Sequence, residues 1–265
     1  MPLTPIFDPA IAQRPMRVAA FMSGSGTNIR KLLEHQEALD RHSNGSPFRV
    51  TFIFSDRSDG QCAGENIALE NGLPYFSYDI RTFHRLKGVK RTVLTPEGLA
   101  ARKDYDRLVS ALISAFEIDA VALGGYMSYT TIPRCVNVHP ADLSLLTPEG
   151  QRKFVGEDAV RDAVLAGEKT IRASTLWTDE GVDTGPLLMV SGPVEVALPD
   201  PPESLARDKA KLTEVVDAHQ NRLKEQGDWK IFPRTIQLIA EGRFALDEGG
   251  RVYLNGAPVP EGHRE

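Results

Sequence analysis

Short apolar runs alternate along this chain with stretches whose apolar residues recur at helical spacing. The run RVAAFM, ending at Met22, predicts a buried strand. A glycine turn follows, and IRKLLEHQEAL then sets Ile29, Leu32, Leu33 and Leu39 at helical spacing. VTFIFS (Val50 to Ser55) predicts a second strand, ENIALENG a short helix stopped at Gly72, and LPYFSYD a third strand. YDRLVSALISAFEI predicts an amphipathic helix leading into the strand DAVALGGYM, with CVNVH as the next strand. A helix near Glu157 to Ala166 precedes the strand TIRASTLW, the turn TDEGVDTGP and the strand LLMVSGPVEV. Two C-terminal helices follow, ESLARDKAKLTEVVDAHQNRLKEQG and FPRTIQLIAEG, and RFALDEGGRVYLNG predicts a β-hairpin around Glu248, Gly249 and Gly250. Such alternation predicts an α/β fold, a Rossmann-like mostly parallel sheet with helices on both faces. Residues 80–103 interrupt the rhythm with a cluster of bases and read as a solvated insertion.

In a sheet of this kind ligands bind beyond the carboxyl ends of the strands. CVNVHPADLS therefore stands out. Alternation puts Val136 and Val138 on one face and Asn137 and His139 on the other, and Pro140 ends the strand beside them. A strand-end histidine is ordinarily structural, yet this one shares its face with an amide at the ligand edge and can donate a hydrogen bond to developing negative charge. SGSGTN, Ser23 to Asn28, lies between the first strand and the first helix, where free amides favour an anion such as phosphate. It matches neither the dinucleotide fingerprint nor the P-loop, and a plain turn with Ser25 or Thr27 capping the helix is the alternative. In TDEGVDTGP, Asp179, Glu180 and Asp183 share one turn. A cation site, solvated turn residues and a carboxylate that steadies an imidazolium all remain open there.

Composition narrows the classes. With 265 residues, 41% of them hydrophobic and 25% charged, the chain is long enough for one large core or a core with a small appendage. A net charge of −5 provides no chain-wide basic field, so a nucleic-acid partner is not expected. Cys62 and Cys135 are too few for a disulfide framework or a cysteine-based zinc site, which predicts a reducing, cytoplasmic setting. MPLTPIFDPAIAQRP resembles neither a signal peptide nor an anchor and is expected to form an arm over residues 1–15. No apolar run approaches the roughly 20 residues of a spanning helix, so no membrane partner is expected either.

The order of the motifs, SGSGTN, GGYM, NVHP, DEGVDTGP and then FP in a late helix, resembles the formyltransferases that use 10-formyltetrahydrofolate, most closely the phosphoribosylglycinamide formyltransferases of purine synthesis. The resemblance runs from about Met16 to the C-terminus. It implies a formyltransferase domain over 16–245 with a hairpin and tail over 246–265, and it makes Asn137, His139 and Asp183 the catalytic residues. It implies further that Gly24, Ser25, Gly26, Thr27 and Asn28 hold the acceptor's phosphate, that Asp228 meets its ribose, and that Tyr126, Met127, Asp179 and Val182 border the folate. The co-substrate would be 10-formyltetrahydrofolate, with small-molecule substrates as partners, no metal, and a homodimer left open.

Several positions depart from the family pattern. Ser128 stands where an arginine is usual, the segment between Met127 and Asn137 is short, Leu176 replaces a frequent histidine, and Glu225 falls where an amide usually meets the phosphate. The alternatives are transfer to another amine such as a sugar nucleotide or a charged tRNA, hydrolysis of formyltetrahydrofolate, and a non-enzymatic ligand-binding descendant. A hydrolase is expected to carry an N-terminal regulatory domain, which residues 1–15 are not expected to form, and no oligonucleotide-binding barrel is expected at the C-terminus.

Overall fold

A computed structural model of the chain describes residues 2–42 and 45–265. Met1, the first residue of the expected arm, lies outside them. The chain divides into two compact units, one of Phe7–Val136 and one of Asn137–Glu265 joined by the residues up to Ile6.

In the Phe7–Val136 unit the strands lie in the order Ala120–Leu123, Met16–Met22, Phe48–Ser55, Tyr75–Ser77, and every pairing is parallel. Successive residues Val18 to Met22 are all fully buried, so both faces of that strand are covered. Phe21, Phe52, Phe54 and Tyr105 fill one core cluster. Helices Thr27–His42, Gly64–Glu70, Ile80–Lys87 and Pro96–Ala115 flank the strands. The basic stretch 80–103 is more ordered than its charge suggests. Asp79 caps the first of its helices by accepting from Thr82 N–H at 2.6 Å, and Gly88, at φ +67°, ends it. Thr95, followed by Pro96, starts the next helix well before the YDRLV segment, because a threonine cap with proline at the first position is itself a start signal.

In the other unit the order is Cys135–His139, Ser174–Trp177, Leu187–Val190, His263–Arg264, with an antiparallel pairing between Ser174–Trp177 and Leu187–Val190 and a parallel one to His263–Arg264. Helices Ala159–Leu165, Lys209–Leu223 and Trp229–Ala240 accompany them. The runs TIRASTLW and LLMVSGPVEV each break in two, because Thr170–Ile171 and Val194–Glu195 pair with each other as a separate ribbon. The C-terminal hairpin forms with Phe244 opposite Leu254, and Thr4–Pro5 adds to its outer edge opposite Ala245–Leu246. Two expected boundaries are thereby corrected. Residues 4–5 are a sheet strand rather than a free arm, and a cut at 245/246 falls inside the strand Phe244–Leu246. Among the described residues no helix is long and apolar enough to cross a membrane.

Candidate active site

Cys135 and Val136 are buried, and Pro140 leaves the strand after His139 without a further ladder donor. The chain beyond is pinned to the neighbouring strand by Ser174, whose hydroxyl donates to Ala141 O at 2.7 Å and accepts from Leu143 N–H at 3.1 Å. The turn from Thr178 to Pro186 is closed at its base by Trp177 N–H donating to Pro186 O at 3.0 Å. Inside it Asp179 Oδ1 accepts from Gly181 N–H at 2.9 Å and from the Thr184 hydroxyl at 2.6 Å. Gly185 packs so closely that a Cβ there would sit 2.0 Å from Trp177 O. Gly185→Ala must therefore open the base of the turn, and we expect a loss of about 1–3 kcal/mol in urea unfolding. An unchanged unfolding midpoint would show that the turn can widen freely.

This turn brings Asp183 to the strand end. Asp183 Oδ2 lies 3.3 Å from His139 Nδ1, and Asn137 Nδ2 donates to Asp183 Oδ1 at 3.5 Å. The three residues singled out in the sequence thus come together in one unit. The loop after the strand supplies the remaining contacts. His139 Nε2 lies 2.9 Å from Phe154 O, and Gly156 N–H donates to Asp183 Oδ2 at 2.9 Å. The Arg152 guanidinium donates to the main-chain carbonyls of Asp183 and Gly185. Both ring nitrogens of His139 therefore face acceptors. The His139 and Asp183 side chains are 6% and 9% exposed, so their hydrogen bonds act with little competition from water.

Nothing in the sequence pattern marks Arg152, Phe154 and Gly156. Two of them act through main-chain atoms, which leave no residue-type signal, and Arg152 sits in a polar loop without periodicity. Of the expected folate neighbours on this unit, Asp179 is engaged in closing the turn and Val182 is 53% exposed. Asp228 is only 3% exposed within the π-helical turn Lys224–Asp228, so a ribose contact there requires that turn to open. Glu225, on the same turn, is exposed. Leu176 is buried against Leu143 and Leu187, which makes the strand face there apolar.

On the Phe7–Val136 unit, Gly26 takes φ +68°, and a Cβ there would meet Met22 Cε at 2.4 Å. Among the described residues the amides of Gly24 to Asn28 donate to no protein acceptor, and neither Ser25 nor Thr27 caps the helix by its side chain. Asn28 Oδ1 is buried without a hydrogen-bond partner. Tyr126 differs from its expected role. Its ring is buried against Phe21 and Phe54, its oxygen accepts from Arg102 Nη2 at 3.2 Å, and burial pushes its phenol up, so only its main chain is left for a ligand. Met127 is 61% exposed. Ser128 is committed elsewhere, donating to Asp56, which also accepts from the Ser23 hydroxyl at 2.7 Å, while Met127 N–H donates to that hydroxyl at 2.9 Å. At the position where the resemblance leads one to expect an arginine, Ser128 instead joins the strand end, through Asp56, to Ser23 at the start of the glycine loop.

The model of the formyl transferase family matches residues 16–216. A trifunctional purine biosynthetic protein adenosine-3 of Drosophila melanogaster is 26% identical over 239 residues, which cover 88% of this chain and 14% of that protein. The chain thus spans about a seventh of the length of that relative. A chloroplastic phosphoribosylglycinamide formyltransferase of Arabidopsis thaliana is 27% identical over 255 residues, covering 94% of this chain and 73% of the relative. Among solved structures, glycinamide ribonucleotide transformylase 1 of Symbiobacterium toebii superposes with a TM-score of 0.61 at 26% identity, covering 91% of this chain and 94% of the other.

Proposed function

The chain belongs to the formyl transferase family, and on that premise we propose that it transfers a formyl group from 10-formyltetrahydrofolate to the amine of phosphoribosylglycinamide, a step of purine biosynthesis. The observation that carries this reading is the meeting of Asn137, His139 and Asp183 at one strand end. The amine lone pair attacks the formyl carbon, and the carbonyl pair moves onto oxygen. His139 and the Asn137 amide donate to that oxyanion, each such donor being worth roughly 3 kcal/mol. An oxyanion outcompetes a neutral carbonyl for an N–H, so the ring proton held by Phe154 is the one drawn to the developing charge. Asp183, beside Nδ1, keeps the ring oriented. The oxyanion pair then re-forms the carbonyl as the carbon–nitrogen bond to the folate breaks, with its pair going to nitrogen. The proton shed by the amine leaves through water and the departing folate nitrogen takes one up.

The acceptor's phosphate is assigned to Gly24–Asn28, supported by the unbonded amides at the start of a long helix. The exposed apolar side chain of Val182, on the same turn as Asp183, supports contact with the folate ring. The reading is tested by following loss of the formyl group from 10-formyltetrahydrofolate with phosphoribosylglycinamide, with other small amines and with water alone. Transfer to the glycinamide is expected to be the fastest reaction. Faster transfer to another amine would overturn the acceptor, and release of formate at equal rate without any amine would replace transfer by hydrolysis.

A further inference from the structure

We propose that Arg152 is a positioning residue for formyl transfer, its guanidinium spanning the carbonyls of Asp183 and Gly185 and holding the turn in the shape that aims Asp183 at His139. The inference rests on the formyl-transfer reading and deepens it. Asp183 takes φ +53°, a left-handed conformation that costs a residue with a Cβ roughly 1 kcal/mol and that its surroundings here hold in place. What holds it is on either side of the residue. Arg152 donates to the carbonyl of Asp183 and, at 2.7 Å, to that of Gly185. Gly156 N–H holds the carboxylate itself at 2.9 Å.

The arginine is well placed for this. Thr147 N–H donates to Gln151 O at 2.7 Å and Lys153 N–H to Leu145 O at 3.0 Å, so the chain from Leu145 to Lys153 closes as a small hairpin that presents Arg152 from a fixed base. Among the described residues Arg152 forms no ion pair, and its donors go to main-chain carbonyls. Burial pushes the guanidinium below its usual value, and the Asp179 and Asp183 carboxylates offset part of that. A planar fork can hold two carbonyls at once, whereas a lysine ammonium acts as a single point. The stretch from Arg152 to Gly156 also carries the Phe154 carbonyl on His139. Setting its register therefore sets both members of the His139–Asp183 pair.

The test compares Arg152→Ala, Arg152→Lys and the wild type by kcat and by KM for the folate and the amine. Arg152→Ala is expected to lower kcat about a hundredfold, as a misplaced catalytic group does, with each KM changing less than about threefold. Guanidinium ion added to Arg152→Ala is expected to restore at least about tenfold of the rate, with no gain from the same concentration of ammonium, and Arg152→Lys should recover little. A kcat near the wild-type value, or equal rescue by ammonium, would overturn the proposal. If the alanine variant does not fold, the lysine variant carries the comparison, and full activity in it overturns the proposal as well. Failure of the wild type to formylate any amine would instead overturn the functional reading. In that event a crystal structure of Arg152→Gln decides the positioning role: a displaced Asp183 turn supports it, and an unmoved one refutes it.

Discussion

Replacement of His139 by Ala is expected to lower kcat for formyl transfer by about a thousandfold, combining the loss of an oxyanion donor with the loss of a proton-bearing group beside Asp183. The imidazole sits at the centre of the contacts. Its two nitrogens connect Phe154 O on one loop with Asp183 Oδ2 on the other, at 2.9 and 3.3 Å. Removing it leaves both acceptors without that donor, and the buried carbonyl loses the most because Gly156 N–H still serves the carboxylate. The stability cost should stay within about 1–3 kcal/mol. Rate and stability are therefore separable. Single-turnover formyl transfer measured beside urea unfolding makes the comparison, and a variant that transfers formyl at the wild-type rate would remove His139 from the chemistry.

The site was legible in the sequence where function uses side chains on a regular element. A strand repeats every two residues, so Asn137 and His139 had to share a face, and Pro140 marks where that face ends. Asp183 is different. Sequence distance says nothing about its approach to His139, and the pairing followed from the order of the motifs. The structure shows why periodicity could not supply it, since Asp183 is held in left-handed backbone by the Gly156 amide, which any residue type could provide, and by Arg152, which sits in a polar loop without periodicity. Tyr126 shows the opposite failure. It lies at a strand end that points to a ligand, but an aromatic ring beside Phe21 and Phe54 gains more from the core than from solvent, and its oxygen finds Arg102. The helix at Pro96–Ala115 was readable from Thr95 and Pro96, a cap signal obscured by the surrounding charges. The division at Val136/Asn137 was not readable, because it falls inside a continuous strand with no break in composition.

The second large effect is expected from Asp183→Asn, which keeps the shape of the side chain and removes its charge. Gly156 N–H donates to Oδ2 at 2.9 Å and requires an acceptor at that position, so the new amide must leave its oxygen there and turn its NH2 toward Asn137. In the wild type Asn137 Nδ2 donates to the opposite oxygen, at 3.5 Å, so the substitution sets two donors against each other. Asn137 then relieves the conflict by reversing its own amide, which moves its donor away from where the wild type holds it. Near His139 Nδ1 a neutral oxygen replaces a carboxylate, and the imidazolium loses its counter-charge. Two oxyanion donors are disturbed by one atom's exchange. A fall in kcat of about a thousandfold or more is expected, comparable to His139→Ala and accompanied by little change in unfolding free energy. The double variant Asp183→Asn with His139→Ala should then be scarcely slower than either single one, because the residues act as a unit. Measured losses that multiply across the double variant would show that Asp183 and His139 work independently and would separate the carboxylate from the histidine's task.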